Sequence, residues 1–410
     1  MTAMPRPGFD FTDPALWASR VPHEEFAALK KTAPVWWNEQ RDGISGFTDG
    51  GYWVVTKHAD IREISRNSTL FSSALKTSII RYPVGATEEE IDITRALLVN
   101  MDPPKHTAYR RIVSRGFTPR AVAGLREALA ARATAIVTEA LARGGGDFVE
   151  QVACELPLQA IAEMLGVPQA DRRKLFDWSN QVLNWDDPEF DVDPNQATAE
   201  LIGYAWNLAE ERRGRPSDDI VTKLVTADVD GEGLASEEFS FFVILLAIAG
   251  NETTRNAITH GMKAFVDDPE QWELFREQRP ATTADEIVRW ATPVTAFQRA
   301  ATEDTELGGV HIRKGQRLGL FYSSANFDEE VFDDPFSFNI LRDPNPHLGF
   351  GGGGAHFCLG ANLARREIRV IFDELRREIP DIGVTGKPAR LLSQFIHGIK
   401  SLPVAWTPPA

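Results

Sequence analysis

The stretch His347–Phe372, HLGFGGGGAHFCLGANLARREIRVIF, sets four consecutive glycines before a single cysteine and follows it at once with an amphipathic, Arg-studded helical pattern. A cysteine alone in a chain of this kind is ordinarily a small buried hydrophobe. Here Gly354 lies four residues before Cys358 and Gly360 two after it. Glycines let backbone amides approach a sulfur closely, and a helix start adds partial positive charge. Both favour the thiolate, the form that binds metal. One thiolate with no second cysteine or clustered histidine cannot close a zinc or iron–sulfur site, but it can be the single axial ligand of a haem.

The rest of the chain limits what such a thiolate can serve. Of 410 residues, 43% are hydrophobic and 25% charged, which is ordinary globular composition. With 44 basic against 59 acidic side chains the net charge is −15, which argues against general nucleic-acid binding. Cys154 and Cys358 stand in unrelated surroundings and form neither a disulfide framework nor a CxxC zinc pattern, as suits a reducing compartment. The opening MTAMPRPGFDFTDP is broken by prolines and reads as neither signal peptide nor anchor. The most apolar run, Phe239–Gly250, is too short to span a bilayer. A cytoplasmic protein without a transmembrane anchor is expected.

Strand character appears early, in APVWWNEQ and GYWVVTKHADI, between Gly-rich turns. From MDPPKHTAYRRIVSRGF to about Lys263 the period is helical. Asp102 is placed to cap, Pro103 and Pro104 suit a first turn, and FTPRAVAGLREALAARATAIVTEALARGGG runs to a glycine stop. TELGGVHIRKGQRLGLFY and RLLSQFIHGIKSLPVAW return to strand character. The expected fold class is mainly α with a small β part, in one domain over residues 1–410. Its β-rich segments fall near 33–58, 299–322 and 385–406, and its helical body near 102–298 and 359–379.

Three further groups of residues stand out. AIAGNETTRN, Ala247–Asn256, puts a glycine and the pair Glu252–Thr253 into a helical pattern. The plain reading is a buried helix turning polar at its end. A threonine can instead bond its hydroxyl to the carbonyl four residues back, here Ala249, and bend the helix. In DEIVRW, Glu286 and Arg289 share a helical face, and Arg342 follows in FNILRDPNPHLGF. His106 and Arg110 stand four apart in PPKHTAYRR, Arg299 lies in AFQRAA, and His356 comes two residues before the cysteine. Any one of these alone would read as an ordinary surface charge.

Taken in order, these stretches resemble the cytochrome P-450 superfamily over nearly the whole chain. Gly354, Cys358 and Gly360 match its haem-binding signature, whereas Phe350 stands one residue further upstream than the usual pattern, with Gly351 in the expected place. The loop therefore carries one extra residue. The resemblance implies haem b (iron protoporphyrin IX), ligated by Cys358, between the Thr253 helix and the cysteine loop of a triangular, mostly helical fold. It implies that AIAGNETTRN, with Glu where many members have Asp, is the oxygen-activation segment. Ala249 and Gly250 would then lie beside the haem, Thr253 would support oxygen activation and Glu252 would relay protons. It also implies that Glu286, Arg289 and Arg342 form a buried structural network locking the cysteine loop. His106, Arg110, Arg299 and His356 would contact the haem propionates.

Within the superfamily, LLAIAGNETTRNAITHGMKAF, ADEIVRWATPVTAFQRAA and the segment around the cysteine are most similar to actinobacterial steroid 26/27-monooxygenases. Those enzymes oxidise the terminal methyl of the cholesterol or cholest-4-en-3-one side chain, often onward to aldehyde and acid. Ile80, in the entrance loop TSIIRYPVGATEEEI, with Ile248, Ala249, Val294, Phe297 and Phe395, are the expected substrate contacts. Such an apolar lining suits a sterol and equally a branched lipid. The chain shows no flavin or iron–sulfur region, so the resemblance implies electrons from a ferredoxin and its NAD(P)H-dependent reductase. Lys105, Arg111, Arg115, Arg365, Arg366 and Arg369 are either a basic patch for an acidic ferredoxin or solvated helix faces. A monomer is expected. The alternative functions are branched-lipid or fatty-acid hydroxylation, peroxygenase activity and non-catalytic gas sensing. The Glu252–Thr253 pair weighs against the last two.

Overall fold

A computed structural model describes residues 4–190, 194–217, 219–226, 228–229, 232–233 and 236–407. The helices that position the site are α1 (His58–Arg66), α2 (Lys105–Ser114), α3 (Arg126–Leu141), α4 (Glu155–Leu165), α5 (Arg172–Leu183), α6 (Pro194–Gly214), α7 (Ser236–Asp267), α8 (Pro269–Gln278), α9 (Thr283–Ala291) and α10 (Ala361–Glu378). Helix α7, 32 residues long, is the axis of the molecule and packs against α4, α5, α6, α8, α9 and α10. It stays helical through Ala249–Thr253, so the glycine and the acid–alcohol pair do not interrupt it.

The packing follows the apolar pattern. Helix α10 buries Leu363, Ile368, Ile371, Phe372 and Leu375 on one stripe and leaves Arg369 and Arg377 exposed. Burying a side chain such as Phe372, 1% exposed, contributes about 1.5–3 kcal/mol. Helix α4 is apolar on nearly all sides, because other helices surround it, and it ends at Gly166 in the left-handed region (φ 74°).

The main sheet has five strands: β1 (Val35–Glu39), β2 (Gly51–Val55), β3 (Phe71–Ser72), β5 (Ala296–Ala301) and β6 (Arg317–Phe321), with β4 (Gly145–Asp147) belonging elsewhere. Its order is β1-β2-β6-β5-β3, with β6 parallel to β2 (Leu320 opposite Val55) and antiparallel to β5 (Leu318 opposite Arg299). The sheet thus joins segments more than 200 residues apart, which is why strand character shows at both ends of the sequence. The strand β4 forms part of the expected glycine stop and pairs with β10 (Pro403–Ala405), which in turn pairs with β7 (Gly383–Val384). A hairpin, β8 (Ala389–Arg390) with β9 (Ile399–Ser401), carries Phe395 in its connection.

The N-terminal segment adds two helices, and one local expectation changes. Helices Pro14–Ser19 and His23–Thr32 precede the first strands, and Phe11, Trp17 and Phe26 pack under the sheet against Phe321. Asp102 does not cap α2 with its side chain. Its carboxylate instead accepts from the backbone N–H of Ser73 (2.8 Å) and from the Ser72 hydroxyl, while its backbone carbonyl accepts from His106 N–H. The side chain satisfies the turn that follows β3, whose amides have no ladder partners of their own.

Candidate functional site

Cys358 lies three residues before α10, and its backbone N–H donates to the carbonyl of Phe350 at 2.9 Å. The intervening glycines are dictated by α1. A Cβ on Gly352 would stand 2.4 Å from Ser65 Oγ, and one on Gly354 2.3 Å from the Ser65 carbonyl oxygen. Gly351, Gly353 and Gly354 also have φ of 92°, 94° and 75°, a region side chains avoid. Phe350 remains buried, edge-on to Phe357 (6.5 Å) and beneath the Arg365 guanidinium (4.5 Å).

Burial pushes the Cys358 thiol above its ordinary pKa, against the opposing pull of the Gly360 and Ala361 amides and the Arg110 and Arg365 charges. A bound metal cation would add the positive charge that favours the thiolate. Cys154 differs in kind. It is buried, donates to the Glu150 carbonyl at 3.2 Å, and has a pKa raised to about 11 by burial.

The structure gathers His106, Arg110, Arg299 and His356 beside the cysteine loop. The two imidazoles stand 4.2 Å apart. Burial and neighbouring guanidinium groups lower His106 to about 4 and His356 to about 2, so both are neutral near pH 7. His356 Nε2 meets Ser73 Oγ at 3.1 Å, but His106 Nδ1 is buried with no partner among the described residues. Arg110 donates to the Phe357 carbonyl at 2.5 Å, and Arg299, 4% exposed, to the Gln298 carbonyl at 2.6 Å. Neither forms an ion pair with a carboxylate among the described residues. An uncompensated buried guanidinium such as that of Arg299 is costly unless an anion joins it. A thiol, two cations and an unpartnered imidazole fit an iron porphyrin bearing two carboxylates.

On α7, Ala249 is exposed although Ala247 and Asn251 are buried, and Leu245 and Thr253 on the same face are half-buried. That stripe borders open space, with Ile248 and Gly250 half-buried at its edges. The Thr253 hydroxyl donates to the Ala249 carbonyl at 2.7 Å. Glu252, one residue earlier, is wholly buried and paired with Arg255 at 2.5 Å. Burial raises its pKa, and Arg255 opposes the shift.

Glu286, Arg289 and Arg342 meet in a closed network. Arg289 grips Glu286 with two bonds of 2.8 Å and donates to the carbonyls of Asn326, Pro335 and Ser337. Arg342 reaches Glu286 at 3.2 Å and donates to the carbonyls of Asp333, Asp334 and Ser337. These acceptors tie α9 to the segment leading into the cysteine loop.

Val294, Phe297 and Phe395 also come together. Val294 bridges to Ile396, and the Phe297 and Phe395 rings lie 5.4 Å apart, all three residues being half-buried. Ile80 is placed otherwise. It has no exposure and packs with Tyr52 and Phe321 over Gly319 beneath the sheet, so it is a core residue. Most of its segment is buried with it: Thr77, Ser78, Arg81 and Tyr82 are buried as well.

The basic residues divide. Arg365 points inward to Asp285 (2.7 Å) and Phe350, Lys105 pairs with Glu238 at 3.1 Å, and Arg369 donates to the Ala281 carbonyl at 2.7 Å. Arg111 is exposed on a groove shared with His106, Arg110 and Gly354, and Arg366 is half-buried. The Arg115 side chain lies outside the described residues.

Sequence reasoning missed Asp285. Although burial alone would raise it, bonds to His347 and Arg365 hold its pKa at about 2, fastening α9 to both flanks of the cysteine loop. It missed Glu367 too. This fully buried group on α10 bonds Thr254 of α7, and burial lifts its pKa to about 8. A carboxyl beside a glutamate, or an acid inside an arginine run, carries no periodic signal.

Residues 276–377 match the family model "Cytochrome P450". The chain is 61% identical over 397 residues to a steroid C26-monooxygenase of Rhodococcus jostii, covering 97% of this chain and 84% of that protein. It is 48% identical over 394 residues to a methyl-branched lipid omega-hydroxylase of Mycobacterium tuberculosis, covering 93% and 90%. A Mycobacterium marinum cytochrome P450 solved with pseudoionone superposes with a TM-score of 0.91 at 40% identity, over 99% of this chain and all of that one. The chain belongs to the cytochrome P450 family, whose members carry haem iron, and it is a monooxygenase of that family. Among the described residues, no helix is long and apolar enough to cross a membrane.

Proposed function

We propose that this P450 hydroxylates the terminal methyl of a sterol side chain, that of cholesterol or cholest-4-en-3-one. Its haem would be haem b, its electrons would come from a ferredoxin and an NAD(P)H-dependent reductase, and its compartment would be the cytoplasm. The observation that carries this reading is the greater likeness to the steroid C26-monooxygenase than to the branched-lipid hydroxylase, across nearly the full chain. The half-buried cluster Val294–Phe297–Phe395 supports it, since it offers an apolar wall for a ring system.

The haem, when bound, supplies the oxidising chemistry. Cys358 would ligate its iron, while Arg110, Arg299 and the His106 Nδ1 would take its carboxylates. The wall at Val294, Phe297 and Phe395 excludes water and presents the chain end. A primary C–H is stronger than the secondary ones beside it, so orientation must come from the pocket. The Ala249 carbonyl fixes the Thr253 hydroxyl, and Glu252 holds a proton at its carboxyl for delivery on that side. The exposed Arg111, at the groove next to the cysteine loop, offers an acidic ferredoxin a contact.

The test is a haem spin-state titration with cholest-4-en-3-one against a methyl-branched fatty acid. The sterol reading expects the tighter shift with the steroid. A tight shift with the fatty acid alone would assign the enzyme to branched lipids.

A further inference from the structure

Where the end of α8, the start of α9 and the middle of α10 meet, the protein has a cavity of about 370 Å³. Phe275, Ile368 and Phe372, all buried, give it an apolar floor. Thr283, also in the lining, is 3% exposed, and its hydroxyl has no hydrogen-bond partner among the described residues. Thr283 is the first residue of α9, whose opening amides are unpaired too: the N–H groups of Ala284 and Asp285 have no acceptor among the described residues. Thr282 does not cap them, because its hydroxyl donates to the Ile340 carbonyl instead.

Two guanidinium groups line the same cavity. Arg369, exposed on α10, donates to the Ala281 carbonyl at 2.7 Å and has no carboxylate partner among the described residues. Arg279 takes a left-handed backbone (φ 52°) where α8 ends and grips Asp373 through two bonds. Asp373, the carboxylate of the lining, is thereby neutralised, and Arg376 also reaches it at 3.5 Å. Asp285, in the first turn of α9, is engaged by His347 and Arg365. The cavity is therefore locally positive in a chain of net charge −15. A helix N-terminus presents N–H donors and partial positive charge, and an arginine beside it strengthens the attraction for an anion. The Thr283 hydroxyl adds what a helix end alone lacks, a buried donor that is costly to leave unpaired.

We propose that this cavity binds a phosphate group, either as free phosphate or as the phosphate ester of a small apolar molecule. The phosphate oxygens accept from Thr283 Oγ1, the opening amides of α9 and the Arg369 guanidinium. The body of an ester lies over Phe275 and Phe372, where the cavity has room beyond the phosphate. Helix α9 also carries Glu286 and Arg289, whose network holds the segment leading into the cysteine loop, so a filled site steadies that segment. The site is independent of the sterol assignment.

Titration calorimetry on the haem-loaded protein tests this, with inorganic phosphate, phenyl phosphate and phenol as probes in a phosphate-free buffer. Phosphate should bind one to one and raise the unfolding midpoint as its concentration grows. Phenyl phosphate binding more tightly than phosphate assigns the site to an ester, and equal affinities assign it to the free ion. Thr283→Val and Arg369→Gln should each lower the affinity at least about tenfold, with haem content as in the wild type. No binding to the wild-type protein, or binding that neither variant weakens, overturns the proposal. So does phenol binding as tightly as phenyl phosphate, since the pocket would then ignore charge. If phosphate does not bind and Arg369→Gln slows only reduction by ferredoxin, the arginine belongs to a ferredoxin contact and the proposal fails.

Discussion

The Thr253 hydroxyl sits 2.7 Å from the carbonyl oxygen of Ala249, a residue exposed in the middle of the longest helix. The bond fixes the hydroxyl at the border of the open space. Thr253→Ala removes the hydroxyl and little volume. Haem content and sterol affinity should persist, while product per NAD(P)H falls by at least about tenfold and peroxide takes up the difference. Measuring NAD(P)H consumed, product and peroxide together checks this, and full coupling in the variant would remove Thr253 from the reaction.

Glu286 is the single carboxylate shared by two buried guanidinium groups, Arg289 and Arg342. Glu286→Ala strands both charges and frees the Asn339 amide and Asn345 side chain that also bond Glu286. Removing one partner of a buried pair costs about 3–5 kcal/mol. The expected outcome is poor haem retention and a lower unfolding midpoint, read by haem absorbance and calorimetry.

Gly354 has a left-handed backbone and lies against the carbonyl of Ser65. Gly354→Ala costs about 1–3 kcal/mol from conformation alone, before the clash is counted. The cysteine loop should loosen, and the variant should lose haem on gel filtration while its helical content stays near wild type.

Acid should weaken the fold through the pair His260 and His397. Their rings are 4.1 Å apart, His260 Nε2 meets the His397 carbonyl at 3.1 Å, and His397 Nδ1 meets the Ala291 carbonyl at 2.7 Å. Arg390 also faces His397 at 3.2 Å. Burial, with Arg390 adding to it, lowers His397 to about 4, and burial lowers His260 well below the ordinary value. Between the unfolded value of about 6.5 and the folded value, the unfolded chain binds more protons, so stability declines as pH falls through that window. His397 alone accounts for roughly 3 kcal/mol by pH 4. Unfolding midpoints should drop from pH 7.5 to 4.5, and His397→Gln should flatten that curve.

Much of the site could be read from spacing because its parts lie on local patterns. The cysteine loop, the Thr253–Ala249 bond, the Glu286–Arg289 pair and the His106–Arg110 step all sit within one or two helical turns. What stayed hidden depends on contacts between distant segments. The pull of Asp285 on His347 and Arg365 links residues 62 and 80 positions apart. The bonding of Asp102 to Ser72 and Ser73 spans about 30 positions and overrode a plausible helix cap. Ile80 was misplaced because an apolar residue in a loop can face a pocket or a core, and only the register of the neighbouring sheet decides. The balance at Cys358 was also beyond sequence, since burial there outweighs the amides that favour a thiolate.

The most direct test is turnover of cholest-4-en-3-one by the haem-loaded protein, with ferredoxin, its reductase and isotopically labelled dioxygen, followed by mass spectrometry of the product. The account predicts one labelled oxygen on the terminal methyl carbon of the side chain. Label on a ring or secondary carbon, or a product without label, would contradict it.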